Sequence, residues 1–142
     1  MYQLRGKLSI VMPAYNEEAL IYNSIMQTLS IVEQFAPDME IIAVNDGSKD
    51  KTKQEIERAI RDDAKQPHPV VPGMRVSGTR IKLVTSNKNR GKGNAIISGI
   101  SQAEGDYIAF VDADLELNAA QLEGYLKKMQ ESGSDVVIGC KF

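Results

Sequence analysis

Short apolar runs alternate along this chain with segments of helical periodicity, and this alternation limits the possible folds more than any other feature. Five runs have the largely apolar, β-branched character of strands buried on both faces: residues 8–13, 40–44, 81–85, 107–111 and 135–139. Between them, apolar residues recur every three or four positions, which predicts four helices. Strands alternating with helices predict an α/β fold with a doubly wound, mainly parallel sheet and right-handed crossovers.

Length and composition indicate one globular domain, residues 1–142. Hydrophobic residues make up 42% of the 142 residues and charged residues 25%, an ordinary balance for a folded domain. The formal net charge of -2 argues against a nucleic-acid partner. The single cysteine, Cys140, excludes an internal disulfide bond and a cysteine metal site. No apolar run is long enough for a transmembrane segment, and we expect a cytoplasmic protein.

Residues 62–79 interrupt the alternation of strands and helices. They show no periodicity and contain three prolines and two glycines, so we expect a flexible loop in this part of the chain. His68 lies between two of these prolines. We expect its side chain to be exposed and to have no catalytic role.

Polar residues follow the first two predicted strands, and ligands of such sheets bind beyond the carboxyl ends of the strands. Residues 13–17 (PAYNE) offer backbone amides, an aromatic ring and a carboxylate, although they also fit a helix start capped by Asn16. Residues 45–48 (NDGS) place Asp46 where its carboxylate can accept a hydrogen bond from a base or a ribose. The same four residues also fit an Asx turn.

A basic, glycine-rich segment follows the third predicted strand. Residues 87–93 (NKNRGKG) combine Lys88, Arg90 and Lys92 with two glycines directly before a helix. Side-chain charge, close backbone approach and a positive helix end together suit a phosphate group. The segment matches neither the Walker A loop nor the dinucleotide fingerprint. The alternative is a solvated basic loop without a ligand.

An acidic motif follows the fourth predicted strand. Residues two apart in an extended segment point to the same side, so we expect the carboxylates of Asp112, Asp114 and Glu116 to converge. Converging carboxylates repel one another unless a cation joins them. Mg²⁺ or Mn²⁺, held by one or two carboxylates plus substrate phosphates, fits this need. The alternative is a pair of aspartates that form a turn and cap a helix.

Five motifs occur in a fixed order along the chain: VMPAYNE, IIAVNDGSKDKT, NKNRGKGNAI, GDYIAFVDADLE and DVVIG. Together they resemble the nucleotide-binding, N-terminal half of the family-two inverting glycosyltransferases, which have the GT-A fold. The resemblance extends from Ser9 to about Lys141. It is strongest to the branch that contains polyprenol-phosphate (dolichol-phosphate) mannose synthases and glucosyltransferases.

The resemblance implies a metal-dependent glycosyltransferase with Mg²⁺ or Mn²⁺ as its cofactor. Such an enzyme moves a hexose from a GDP- or UDP-sugar to an acceptor, here a polyprenyl phosphate, at the inner face of the membrane. The nucleotide-binding residues that the resemblance implies are Pro13, Ala14, Tyr15, Glu17, Asp46, Lys92, Asp112 and Ala113. The metal ligands that it implies are Asp112, Asp114 and Glu116.

The chain departs from the family's pattern in two respects. Asn45 stands where many members have the first aspartate of an Asp-Asp-Gly-Ser string. The part that binds the acceptor, and with it the acceptor-side base, is expected to be absent from these residues. A non-catalytic nucleotide-sugar-binding module that needs a partner chain is therefore the alternative, and a metal-dependent nucleotidyltransferase is a third candidate. An unfinished sheet edge at residues 135–139 is expected to permit homo-oligomers.

Overall fold

A computed structural model describes residues 2–68, 78–115 and 118–138 of the chain. Within these residues the strands are β1 (Leu8–Ala14), β2 (Met39–Asp46), β3 (Ile81–Ser86) and β4 (Tyr107–Phe110). The helices are α1 (Ile21–Val32), α2 (Thr52–Ala64), α3 (Lys92–Ser101) and α4 (Gln121–Ser132). No helix in this part of the chain has the length and apolar character that crossing a bilayer requires.

The strands form one parallel sheet with the order β3-β2-β1-β4. Leu8 in β1 is paired both with Met39 in β2 and with Tyr107 in β4. The chain therefore builds the sheet from β1 through β2 to β3, and then crosses back to place β4 on the other side of β1. Such a reversal opens a crevice at the carboxyl ends of β1 and β4, where ligands of α/β sheets bind. The predicted doubly wound parallel sheet is confirmed.

Helices cover both faces of the sheet. The larger core, which includes Ile10 and Ile41, lies on the side of α1, α2 and α4. A smaller core around Val11 and Ile42 lies under α3. Neighbouring residues of a strand point to opposite faces, so a strand covered on both sides is apolar along most of its length. This is why the apolar runs predicted β1 and β2 to within two residues at either end.

The fifth predicted strand is missing from the described part of its run. Residues 135–138 form no strand, and residue 139 lies outside the described residues. Val136 and Ile138 are 70% and 78% exposed. A strand forms only where its backbone makes hydrogen bonds to the backbone of a neighbouring strand. Apolar side chains do not supply such a neighbour. The prediction is wrong for residues 135–138, and β4 is the edge of the described sheet.

The first helix begins later than predicted, and Asn16 does not cap it. Asn16 has a left-handed backbone with a φ of 53°, and its Oδ1 accepts the N–H of Lys49 at 2.9 Å. In the turn that follows, the carbonyl oxygen of Glu17 accepts the N–H groups of Leu20 and Ile21 at 3.0 and 2.9 Å. The prediction of an Asn16 cap is therefore wrong, because the side chain of Asn16 is bound to a different loop.

The start of the predicted loop is more ordered than its composition indicates. α2 extends to Ala64, three residues into the segment, while residues 69–77 lie outside the described residues. The side chain of His68 is only 5% exposed. Its Nε2 lies 2.9 Å from the carbonyl oxygen of Asp63. The prediction of an exposed His68 is wrong because this contact holds the ring against the end of α2.

The buried carboxylate of Asp63 joins the end of α2 to the start of β3. It accepts hydrogen bonds from the backbone N–H of Arg80 at 2.7 Å and from the guanidinium of Arg80 at 2.8 Å. Burial alone would raise the pKa of Asp63, but the hydrogen bonds and charge of Arg80 outweigh it and hold the pKa below its ordinary value. This ion pair lies at the amino end of β3, away from the crevice, so we assign it to the stability of the fold.

One buried hydroxyl group, Oγ1 of Thr28 in α1, has no hydrogen-bond partner among the described residues. A methyl group in its place would avoid the cost of burying an unpaired hydroxyl. We therefore expect Thr28→Val to raise the free energy of unfolding by about 1 kcal/mol. Urea denaturation followed by circular dichroism measures the change. A loss of stability would show that the hydroxyl makes a hydrogen bond in solution.

Candidate functional site

The segments that follow the strands line one cleft of about 510 Å³ at the carboxyl edge of the sheet. Its lining residues are Pro13, Ala14, Tyr15, Glu17, Asp46, Asn89, Gly91, Lys92, Ala95, Asp112, Ala113 and Asp114. The structure therefore brings together all the nucleotide-binding residues and metal ligands that the resemblance implied except Glu116, which lies outside the described residues. What each of them binds stays a prediction. Of the three cations of the basic segment, Lys92 lines the cleft, whereas Lys88 and Arg90 do not.

The loop after β1 is held in place by the turn after β2. The backbone N–H of Asn16 donates to Oγ of Ser48 at 3.0 Å, and that of Glu17 donates to Oγ1 of Thr52 at 2.8 Å. These two bonds fix the backbone on which Tyr15 and Glu17 reach the cleft. Ser48 and Thr52 were not predicted as supports, because each hydroxyl bonds a residue more than thirty positions away.

Asp46 holds the basic loop that precedes α3. Its two carboxylate oxygens accept the backbone N–H groups of Arg90 and Gly91, each at 3.0 Å. The side chain is almost fully buried, since Asp46 is 4% exposed. A carboxylate that accepts two backbone N–H groups makes strong, charge-assisted hydrogen bonds. These bonds show that Asp46 positions the loop, and its contact with a nucleoside stays a prediction.

The basic loop, residues 87–93, contacts the acidic motif in the cleft through an ion pair. Nζ of Lys92, the first residue of α3, lies 2.5 Å from Oδ1 of Asp112. On the same side, burial raises the pKa of Glu17, and the negative charges of Asp114 and Asp50 raise it further. Burial is the largest cause of this raised pKa, and the smaller contributions of Asp114 and Asp50 are repulsions that a nearby cation would relieve.

A buried serine of α1 makes a hydrogen bond to the backbone of the acidic motif. The hydroxyl group of Ser24, on the buried side of α1, donates a hydrogen bond to the carbonyl oxygen of Ala113. Ala113 stands between Asp112 and Asp114, so this bond fixes the turn that presents both carboxylates. Ser24 was not predicted for the site, because a serine within a helical pattern does not reveal a partner 89 residues away.

Loss of the Ser24 hydroxyl group will leave a buried carbonyl oxygen without its partner. We expect Ser24→Ala to lower the free energy of unfolding by about 1–3 kcal/mol. Thr28→Val is the matched control, since it removes an unbonded hydroxyl from the same helix and has the opposite expected sign. Urea denaturation measures the free energy of unfolding of both variants. Equal changes in this free energy would contradict the role assigned to Ser24.

Asp112 and Asp114 are candidate ligands of a divalent cation. In the ranges that the structure describes, no three His, Cys, Asp or Glu side chains are grouped to hold a metal ion. Mg²⁺ is commonly bound through one or two carboxylates, with substrate phosphates and water as its other ligands. That Asp112 and Asp114 hold a metal ion together with a phosphate-containing substrate stays a prediction, and Glu116, the third predicted ligand, lies outside the described residues.

The comparisons with known proteins agree on one family. A family model described as "Glycosyl transferase family 2" matches residues 9–142. A Mycobacterium tuberculosis protein described as "Putative glycosyltransferases" is 31% identical over 134 residues, 94% of this chain and 35% of that protein. The undecaprenyl-phosphate 4-deoxy-4-formamido-L-arabinose transferase of Enterobacter sp. (strain 638) is 34% identical over 131 residues, 92% of this chain and 36% of the relative. The chain thus spans just over one third of these relatives.

Solved structures with the same fold give similar coverage. The mannosyltransferase PcManGT from Pyrobaculum calidifontis, in complex with GDP-Man and Mn²⁺, has a TM-score of 0.69 at 23% identity over 89% of this chain and 33% of its own. Residues 1–349 of TarS from S. aureus, in complex with UDP, have a TM-score of 0.62 at 26% identity over 91% of this chain and 33% of theirs. Both neighbours therefore contain the described sheet as about one third of a longer chain.

Proposed function

This chain belongs to glycosyl transferase family 2 and has the GT-A fold, and we propose that it binds the nucleoside-diphosphate sugar of a metal-dependent hexosyl transfer. The observation that carries this proposal is the pairing of an acidic motif and a basic, glycine-rich loop across one cleft. A donor of this class carries a diphosphate, which needs positive charge around it, and a nucleoside, which needs a partly apolar pocket. The cleft offers the charge of Lys92, carboxylates that can hold a metal ion, and apolar surface from Pro13, Ala14 and Ala95.

The acceptor that we propose is a polyprenyl phosphate. Relatives of this chain are named as transferases that act on undecaprenyl phosphate, and TarS is described in complex with UDP and with UDP-GlcNAc. A lipid phosphate would bring the protein to the inner face of the membrane as a peripheral protein. Association of two copies through an unfinished sheet edge also stays a prediction.

In this proposal, different residues of the cleft bind different parts of the donor and the metal ion. Pro13, Ala14, Tyr15 and Glu17 would line the pocket of the base and the ribose, and Asp46 would also contact the nucleoside. Lys92 would face the diphosphate, on a loop that Asp46 holds in place through the N–H groups of Arg90 and Gly91. Asp112 and Asp114, with Glu116 as the third candidate, would hold Mg²⁺ or Mn²⁺. The metal ion supplies positive charge that stabilises the leaving nucleoside diphosphate.

The transfer itself is a direct displacement with inversion. An oxygen atom of the acceptor phosphate forms a bond to the anomeric carbon of the hexose. The bond from that carbon to the diphosphate oxygen breaks, and its electron pair leaves with the nucleoside diphosphate. A phosphate acceptor is already ionised at neutral pH, so this step requires no general base.

Calorimetric titration with UDP, GDP and their sugars tests the donor site. We expect binding in the presence of Mn²⁺ that is lost when a chelator is added, and the preferred base identifies the donor class. Failure of every nucleoside diphosphate to bind with Mn²⁺ or Mg²⁺ would contradict the proposal. Binding without sugar transfer to a polyprenyl phosphate would favour a nucleotide-sugar-binding module over a complete enzyme. Pyrophosphate release from a nucleoside triphosphate and a sugar phosphate would indicate a nucleotidyltransferase.

A further inference from the structure

We propose that Lys92 is an exchangeable counter-cation of the donor site. In the absence of a ligand it neutralises Asp112. When a divalent cation and a diphosphate bind together, the cation replaces Lys92 at the carboxylate, and the released ammonium group moves to the diphosphate. This inference rests on the proposed donor binding and adds a reason why the metal ion and the nucleotide bind best together.

The ion pair lies inside the cleft that the donor would occupy. Nζ of Lys92 is 2.5 Å from Oδ1 of Asp112, and both residues line the same cavity. The side chain of Lys92 is 62% exposed and that of Asp112 is 44% exposed. Water screens an ion pair of such exposure, so the pair contributes little to stability and separates readily. The pair is therefore suited to exchange.

Only the side chain of Lys92 needs to move in this exchange. The backbone before it is fixed, because the N–H of Gly91 donates to the buried carboxylate of Asp46 at 3.0 Å. A lysine has a flexible four-carbon stem with a compact charge at its end, so its ammonium group can change partners while the helix stays in place. Lys92 is also the first residue of α3, where the helix dipole favours an anion.

Charge repulsion couples the two binding events. A divalent cation at Asp112 and the ammonium group of Lys92 would be close enough to repel each other strongly. The metal ion alone must therefore displace Lys92 into water, whereas a metal ion that arrives with a diphosphate gives Lys92 a new anionic partner. The two ligands consequently increase each other's affinity, which is a coupling free energy in the thermodynamic sense.

The test is Lys92→Met, which keeps much of the length of the side chain and removes its charge. Mn²⁺ alone, titrated by electron paramagnetic resonance, should bind about 5-fold more tightly to the variant than to the wild type. UDP or GDP, titrated by calorimetry at saturating Mn²⁺, should bind about 5-fold more weakly. Lys92→Arg keeps the charge and should therefore shift neither affinity in the direction expected for Lys92→Met.

Lys88→Met is the matched control, because Lys88 is an exposed cation of the same loop. It should change both affinities much less than Lys92→Met. The inference is overturned if Lys92→Met leaves Mn²⁺ binding unchanged, if both affinities fall together, or if Lys88→Met reproduces the opposite shifts. These outcomes differ from failure of the proposed function, in which the wild-type chain itself binds no nucleoside diphosphate with Mn²⁺.

Discussion

Asp114→Asn will lower the affinity for UDP or GDP in the presence of Mn²⁺ to the level measured with a chelator. Asparagine keeps the size of the side chain but removes the negative charge that makes a carboxylate the preferred ligand of a hard divalent cation. Even groups that only support a metal ligand cost about 10–100-fold in metal affinity when they are mutated, so a direct ligand should cost about 100-fold or more. Calorimetric titration with Mn²⁺ and then with the chelator measures this loss.

Glu131→Gln is the matched control for Asp114→Asn. It removes one negative charge from an exposed residue of α4 that does not line the cleft. We expect its nucleotide affinity to equal that of the wild type. An Asp114→Asn chain that still binds in a metal-dependent way would exclude Asp114 as a ligand. Equal losses in both variants would mean that overall charge, and not coordination, controls binding.

The sheet could be predicted because the apolar pattern of its central strands is visible in short stretches of the sequence. Residues 10–14 of β1 and 41–44 of β2 are apolar because they lie between two layers of helices, and that pattern is visible in a few consecutive residues. The run at residues 135–138 has a similar composition but forms no strand. Pairing at an edge depends on a neighbouring backbone, and the composition of the run carries no information about that neighbour.

The site could be predicted as a set of residues but not as a structure. Parallel strands end at the same edge of a sheet, so Tyr15, Asp46 and Asp112 meet there whatever separates them along the chain. Their supports depend on contacts between distant residues. Ser24 bonds Ala113, which is 89 positions away in the sequence. Asp46 bonds the N–H groups of the basic loop, which are more than forty positions away. No local pattern predicts such contacts.

The turn after β2 and the basic loop touch closely, and Gly47 lies at their contact. Gly47 has a φ of 68°, and a Cβ atom added there would collide with the backbone of Lys88 and Asn89. A side chain at the collision could rotate away, but a backbone can yield only if the whole loop shifts. A shift would break the hydrogen bonds that Asp46 makes to the loop and would displace Lys92 from the cleft.

Gly133 provides the matched control for this contact. It has the same φ of 68° at the end of α4, and a Cβ atom added there would have nothing within 4 Å. Gly133→Ala therefore carries only the cost of a left-handed backbone, roughly 1–2 kcal/mol. Its affinity for a nucleoside diphosphate should equal that of the wild type.

Gly47→Ala will lose more stability than Gly133→Ala and will also lose nucleotide affinity. It carries the same backbone cost plus about 1–3 kcal/mol for forcing atoms into a packed contact. Urea denaturation gives the difference in the free energy of unfolding between the variants, and calorimetry with Mn²⁺ and UDP or GDP gives the difference in binding. Equal losses of stability would mean that the loop yields without cost. Normal nucleotide binding by Gly47→Ala would mean that the position of the basic loop, and of Lys92 with it, does not control the donor site.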